Sequence, residues 1–92
     1  MNDQVPNQAI LHVVIRNPEG VIFQGSATAV SSVDETGPFD ILGLHANFIC
    51  IIRDSVTIYE TQKKIRKFPL ETGIVKVFEN EVQIFLGIET VV

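Results

Sequence analysis

The chain has a single cysteine, Cys50, so no disulfide can form within it, and a reducing compartment fits that usage. It has no long apolar run. The longest, Phe48-Ile49-Cys50-Ile51-Ile52, is far too short to cross a bilayer as a helix. The N-terminus, Met1-Asn2-Asp3-Gln4-Val5-Pro6-Asn7-Gln8, is polar and lacks the basic start of a secretory signal. These absences lead us to expect a soluble, cytoplasmic protein with no direct insertion into a membrane. No excess of positive charge is present either. The net charge of −4 argues against a general nucleic-acid binder.

Chemistry-bearing motifs are equally scarce. There is no Gly-x-x-x-x-Gly-Lys-Ser/Thr and no Gly-x-Gly-x-x-Gly, so nothing cradles a phosphate. The glycines stand singly at turns, where they serve the backbone. His12, His45 and Cys50 show no metal-ligand spacing. His12 alternates away from the apolar face of its segment, which points it to solvent, and Cys50 between two isoleucines reads as an inert, buried thiol. Ser26, Ser31, Ser32 and Ser55 sit in no Gly-x-Ser-x-Gly frame. With two histidines in all, a catalytic triad has little to draw on. We therefore expect no catalytic residue, no metal and no cofactor.

What is present is strand material. Ninety-two residues make one domain, expected as a leader over residues 1–8 and a folded unit over 9–92. A chain of this size buries about 60–65% of the surface its unfolded form exposes, enough for one thin core. Its 46% apolar content excludes a disordered composition. Leu11, Val13 and Ile15 alternate with His12, Val14 and Arg16, a period of two. Asn17-Pro18-Glu19-Gly20 is a turn. Val21–Phe23 opens a second strand, Gly25 marks a bulge, and Ser26–Val33 continues it. Asp34-Glu35-Thr36-Gly37-Pro38 is a polar loop.

Phe48–Arg53 reads as a continuous apolar strand, with Asp54-Ser55 as a two-residue hairpin connection to the strand from Val56. Thr61–Lys64 is the next turn. Pro69 demotes Ile65–Leu70 to an edge. Ile74–Phe78 and Glu81–Leu86 form a hairpin about Glu79-Asn80, where Asn80 accepts a positive φ. No stretch has helical spacing. The expected fold class is all-β: a two-sheet antiparallel sandwich or flattened barrel of about ten short strands. Val13, Ile15, Ile22, Ile41, Ile51, Ile58, Val75, Val77 and Ile84 are its expected core.

Lys63-Lys64-Ile65-Arg66-Lys67 gathers four of the seven basic residues. It can be read as an anion patch or as a solvated hairpin that protects an edge strand. The second reading is simpler, since only Phe68 beside the cluster could stack on a base.

Two segments carry a resemblance. Asn17-Pro18-Glu19-Gly20-Val21-Ile22-Phe23-Gln24-Gly25 and Gly37-Pro38-Phe39-Asp40-Ile41-Leu42-Gly43-Leu44-His45-Ala46 are similar to the N-terminal β-sandwich of the epsilon subunit of F-type ATP synthases, called delta in mitochondria. That family reads Pro-Glu-Gly, then Phe-x-Gly, then Gly-x-Phe-Gly-Ile-Leu-Pro-Gly-His-Ala-Pro. Gly73, Val75 and Val77, then Val82 and Ile84, resemble its last hairpin. Asp40 stands where the family has Gly, Gly43-Leu44 where it has Pro-Gly, and Asn47 in place of its second Pro. Family members continue into a C-terminal helical hairpin that can restrain ATP hydrolysis, and the resemblance here reaches only the sandwich.

The resemblance implies a non-catalytic rotor subunit. It would link the gamma subunit to the c-ring, so that proton- or sodium-driven rotation reaches the catalytic head. It also implies a peripheral place on the inner face of the membrane, through the complex. The partner surface so implied comprises Gly37, Pro38, Phe39, Asp40, Ile41, Leu42 and His45. The loop around Gly37-Pro38-Phe39-Asp40 would face the ring, and the region of His45 would approach gamma. The alternative is a free-standing β-sandwich that binds an unrelated protein. A small hydrolase is the third reading. Co-purification with gamma and a c-ring separates the first two. The third requires a polar cleft where a histidine meets a serine or a carboxylate.

Overall fold

The computed structural model describes residues 9–44 and 47–87. The leader expected over 1–8, and His45, lie outside them. Six strands follow one another: β1 (Leu11–Asn17), β2 (Gly20–Asp34), β3 (Gly37–Leu42), β4 (Phe48–Glu60), β5 (Ile65–Phe78) and β6 (Glu81–Leu86). No helix occurs among the described residues. The all-β flattened barrel expected from the sequence is borne out. The strands are fewer and longer than the expected ten, because three of them run on through bulges and serve both layers.

The pairings define the layers. In one, the first half of β2 pairs with β1, β1 with β6, β6 with the second half of β5, and that with Phe48–Ile52 of β4. In the other, β3 pairs with the second half of β2, that with the second half of β4, and that with the first half of β5. All pairs are antiparallel except β1 with β6, which is parallel. A parallel neighbour needs a long crossover, and here almost the whole chain lies between the two strands.

Asp54-Ser55 is not the expected hairpin. β4 passes straight through it, and the register slips there against both neighbours. Ser32 lies opposite Val56 while Val33 lies opposite Arg53, so Asp54 and Ser55 bulge from the ladder. Asp54 takes φ 73°, a conformation Asp tolerates better than most residues. The bulge tips β4 from one layer to the other. The Ser32 hydroxyl, buried, donates to the Ser55 carbonyl at 2.7 Å and satisfies an acceptor the bulge displaces.

Leu11, Val13, Ile15, Ala27, Val30, Ile41, Ile52, Val56, Ile58, Val75, Val77, Val82 and Ile84 form the core between the layers. Two expected members lie outside it. Ile22 is 44% exposed and Ile51 is 65% exposed. Ile22 falls at a slip in register, where Ile15 pairs with Phe23 and Arg16 with Val21, so it is passed over. Ile51 is out of phase: Phe48, Cys50 and Ile52 face inward, and Ile49 and Ile51 face out.

Aromatic pairs close both open sides of the sandwich. Phe39 of β3 meets Phe48 of β4 edge-on, with ring centroids 6.3 Å apart. Phe23 of β2 meets Phe68 of β5 at 5.7 Å. Each pair joins one layer to the other, and such contacts contribute about 0.5–1.5 kcal/mol beyond area burial.

Candidate functional site

β3 and the loop after it carry the residues the sequence singles out. β2 and β3 are joined by a tight turn at Glu35-Thr36. The Asp34 carboxylate accepts from the Thr36 amide at 2.8 Å and from its hydroxyl at 2.7 Å. These bonds favour the charged form and hold the Asp34 carboxyl below its ordinary value. Gly37 then takes φ 125°, a conformation that suits glycine.

Along β3 the side chains alternate. Ile41 is fully buried in the core and Phe39 is half-buried against Phe48. Pro38, Asp40 and Leu42 point out. The Ser31 hydroxyl on β2 donates to Asp40 Oδ1 at 2.5 Å and steadies its carboxylate. The six described residues of the expected partner surface therefore divide. Phe39 and Ile41 seat the strand, Gly37 forms its turn, and Pro38, Asp40 and Leu42 present a surface.

The following loop is clamped to the β5–β6 turn. Asn80 Oδ1 accepts from the Leu44 amide at 2.8 Å, and Asn47 Oδ1 accepts from the Glu79 amide at 2.9 Å. Asn47 stands where the resembling family has proline, and its side chain supplies half of this reciprocal clamp. Gly43 is required by crowding: a Cβ there would lie 2.2 Å from the Ala9 carbonyl oxygen. The left-handed residue is Leu44, with φ 65°, at the position where that family has glycine. Here a leucine, not a glycine, takes the left-handed position of the loop.

A second surface was not expected from the sequence. Ile49 and Ile51, at 66% and 65% exposure, stand on the outer side of β4, across from Lys76 and Ile74 of β5. A groove of about 540 Å³ runs beside them, lined by Asp34, Glu35 and Thr36 on one wall and Ile49 to Arg53 on the other. The signal for it is in the run Phe48-Ile49-Cys50-Ile51-Ile52. Apolar residues at every position mean that both faces of a strand seek cover.

Other candidates settle into structural parts. Arg66 pairs with Glu60 and lies 5.7 Å over the Phe23 ring, so the basic hairpin is held against its own domain. Lys63 and Lys64, in the turn before β5, and Ile65, Arg66 and Lys67, at its start, are all exposed. His12 is exposed, as the alternation predicts. Cys50 is half-buried, and burial pushes its thiol up, with the Asp34 charge adding to the shift. Among the described residues no three of His, Cys, Asp and Glu gather as a metal site would require.

Comparison with known proteins agrees with this architecture. A family model described as "ATP synthase, Delta/Epsilon chain, beta-sandwich domain" matches residues 10–87. The ATP synthase epsilon chain of Sulfurimonas denitrificans is 32% identical over 73 residues, covering 78% of this chain and 56% of that one. That of a Nitratiruptor species is 33% identical over 72 residues, covering 77% and 56%. Among solved structures, a chain of the Euglena gracilis mitochondrial ATP synthase (OSCP/F1/c-ring) superposes with TM-score 0.77 at 15% identity, covering 94% of this chain and 54% of that one. A chain of the Tetrahymena thermophila mitochondrial ATP synthase central stalk and c-ring superposes with TM-score 0.66 at 17% identity, covering 83% and 62%. The two structural likenesses show the fold, and the chain spans about half the length of the epsilon chains it matches. With residues 10–87 of its 92 under one family model, this chain belongs to the delta/epsilon β-sandwich family of ATP synthase.

Proposed function

We propose that the chain is a non-catalytic central-stalk subunit of an F-type ATP synthase, joining a gamma subunit to a c-ring. The match of the sandwich family over residues 10–87 carries this reading. The fold suits the task. Torque passes through a part that deforms little, and here two layers share three continuous strands and are pinned at both open sides by aromatic pairs. No helix among the described residues is long and apolar enough to cross a membrane, which fits a peripheral place held by protein partners.

In this reading the outward face of β3 meets the ring. Pro38 is rigid, Leu42 offers apolar area, and Asp40 is an anchored carboxylate that suits a basic partner residue. By the resemblance His45, which lies outside the described residues, belongs to the same proposed surface, toward gamma.

Co-purification with a gamma subunit and a c-ring tests the assignment. The unaltered chain is expected to assemble with them. Pro38→Ala with Asp40→Ala is expected to weaken assembly while leaving stability within about 1 kcal/mol, as exposed substitutions usually do. A failure of the unaltered chain to assemble sinks the function. A double variant that folds and assembles with unchanged affinity moves the partner face elsewhere on the sandwich.

A further inference from the structure

The pairings fix the outer face of the second layer, where β3, β2, β4 and β5 lie side by side. Residues directly opposite one another in a ladder share a face. One row across that face is Leu42, Ala29, Tyr59 and Ile65. The next is Asp40, Ser31, Thr57 and Lys67. Beyond it, Pro38 stands at the β3 end and Pro69 at the β5 end. Ile41, Val30 and Ile58, which alternate with these residues, are buried in the core, so the rows point outward. Leu42, Tyr59 and Ile65 are large apolar side chains left exposed. Asp40 and Lys67, at opposite ends of their row, are exposed too.

We propose that the free chain pairs with a second copy through this face. The ends of the rows match. A two-fold axis parallel to the strands, midway between β2 and β4, lays β3 of one copy over β5 of the other. Leu42 then meets Ile65 of the second copy, Asp40 meets its Lys67, and Pro38 meets its Pro69. The small Ala29 lies over the large Tyr59. Apolar row falls on apolar row, and each copy's carboxylate falls on the other's ammonium. The Ser31 hydroxyl already holds the Asp40 carboxylate in place. An axis across the strands, through the polar row, would set aspartate on aspartate and lysine on lysine, so the charges select the first arrangement. Two short rows cover less than a standard interface of about 1,600 Å², so the pair is weak and reversible, with half-association at about 100 µM. Asp40 and Leu42 are also proposed to meet the ring, so the pair belongs to the unassembled chain. It is read from that chain alone and does not rest on the ring assignment.

Sedimentation equilibrium of the free chain from about 10 µM to about 1 mM tests the proposal, with no other subunit present. The mass is expected to rise from one chain toward two. Asp40→Lys and Lys67→Glu each set like charges against one another and are expected to weaken association at least about tenfold. Both substitutions in one chain re-form the two contacts with their signs exchanged, and association is expected to return. It is also expected to return in an equal mixture of the two single variants, where unlike chains pair. A retained strand signature in circular dichroism shows that each variant is folded. A chain that stays monomeric to about 1 mM overturns the proposal. So does association that the single variants leave unchanged, or that neither the double variant nor the mixture recovers.

Discussion

The two halves of β4 share one strand and obey different rules. From Val56 to Glu60 the strand has neighbours on both sides, and its burial alternates cleanly: Val56 and Ile58 are fully buried, while Tyr59 is exposed. From Phe48 to Ile52 its ladder runs to β5, and Ile49 to Ile52 also line the groove. Only Ile52 of that half is fully buried, although the half is apolar throughout. The bulge at Asp54-Ser55 separates the two. The difference teaches that hydrophobicity alone does not mark the core of a small sandwich. The second half is apolar where the fold requires it, and the first carries more than the fold uses.

The sharpest way to break this contrast is to truncate one isoleucine from each half. Ile58→Ala removes a fully buried side chain and is expected to cost about 2–5 kcal/mol. Ile51→Ala removes one that is 65% exposed and is expected to stay within about 0.5 kcal/mol. Urea unfolding of the two variants measures both. Equal losses would mean that the first half is as much a part of the core as the second.

The next largest effect lies at the junction. Ser32 donates to the Ser55 carbonyl from a buried position, where the bulge has displaced the ladder. Ser32→Ala leaves that acceptor without the bond and is expected to cost about 1–3 kcal/mol. Slower exchange in Val56–Glu60 than in Phe48–Ile52 should persist in the variant, with the boundary blurred at Asp54. A variant as stable as the parent would show that the bulge needs no side chain to close it.

Much of this was legible in the sequence. The alternation of Leu11, Val13 and Ile15, the turn at Asn17–Gly20 and the hairpin about Glu79-Asn80 fall where local pattern puts them. Local pattern failed where a strand changes layers. Asp54-Ser55 reads as a turn because two polar residues interrupt an apolar run, and a bulge in a continuous strand has the same signature. Ile22 leaves the core for a related reason: it falls at a register slip, and slips depend on partners distant in sequence. Ile51 leaves it because every residue of Phe48–Ile52 is apolar, so no local pattern says which alternate set faces inward. Of the candidate surface, Pro38, Asp40 and Leu42 alternate with Phe39 and Ile41 as a period of two requires. The clamp by Asn47 and Asn80 joins residues 36 apart in one bond and 32 in the other, and no local pattern announces it.

The smallest expected effect concerns the wall that faces the first half of β4 across the groove. Asp34 holds its turn through the Thr36 amide and hydroxyl, and its charge is felt at Cys50. Thr36→Ala removes the hydroxyl bond, the largest cause of the lowered Asp34 carboxyl, and keeps the amide bond. The Asp34 carboxyl should therefore rise part of the way toward its ordinary value, read by carbon-detected titration of the side chain. The sign for stability follows from the direction. A carboxyl held low in the folded state adds stability above its unfolded pKa, and that contribution is lost as pH falls through the lowered one. The variant should thus match the parent in strong acid, where both turns have lost the charge, and fall slightly behind it at neutral pH. Because the turn is exposed, solvent screens the charge and the gap at neutral pH should be small. A gap that widens in acid would reverse the linkage. It would show that Thr36 holds the wall of the groove by packing and not by favouring the Asp34 charge.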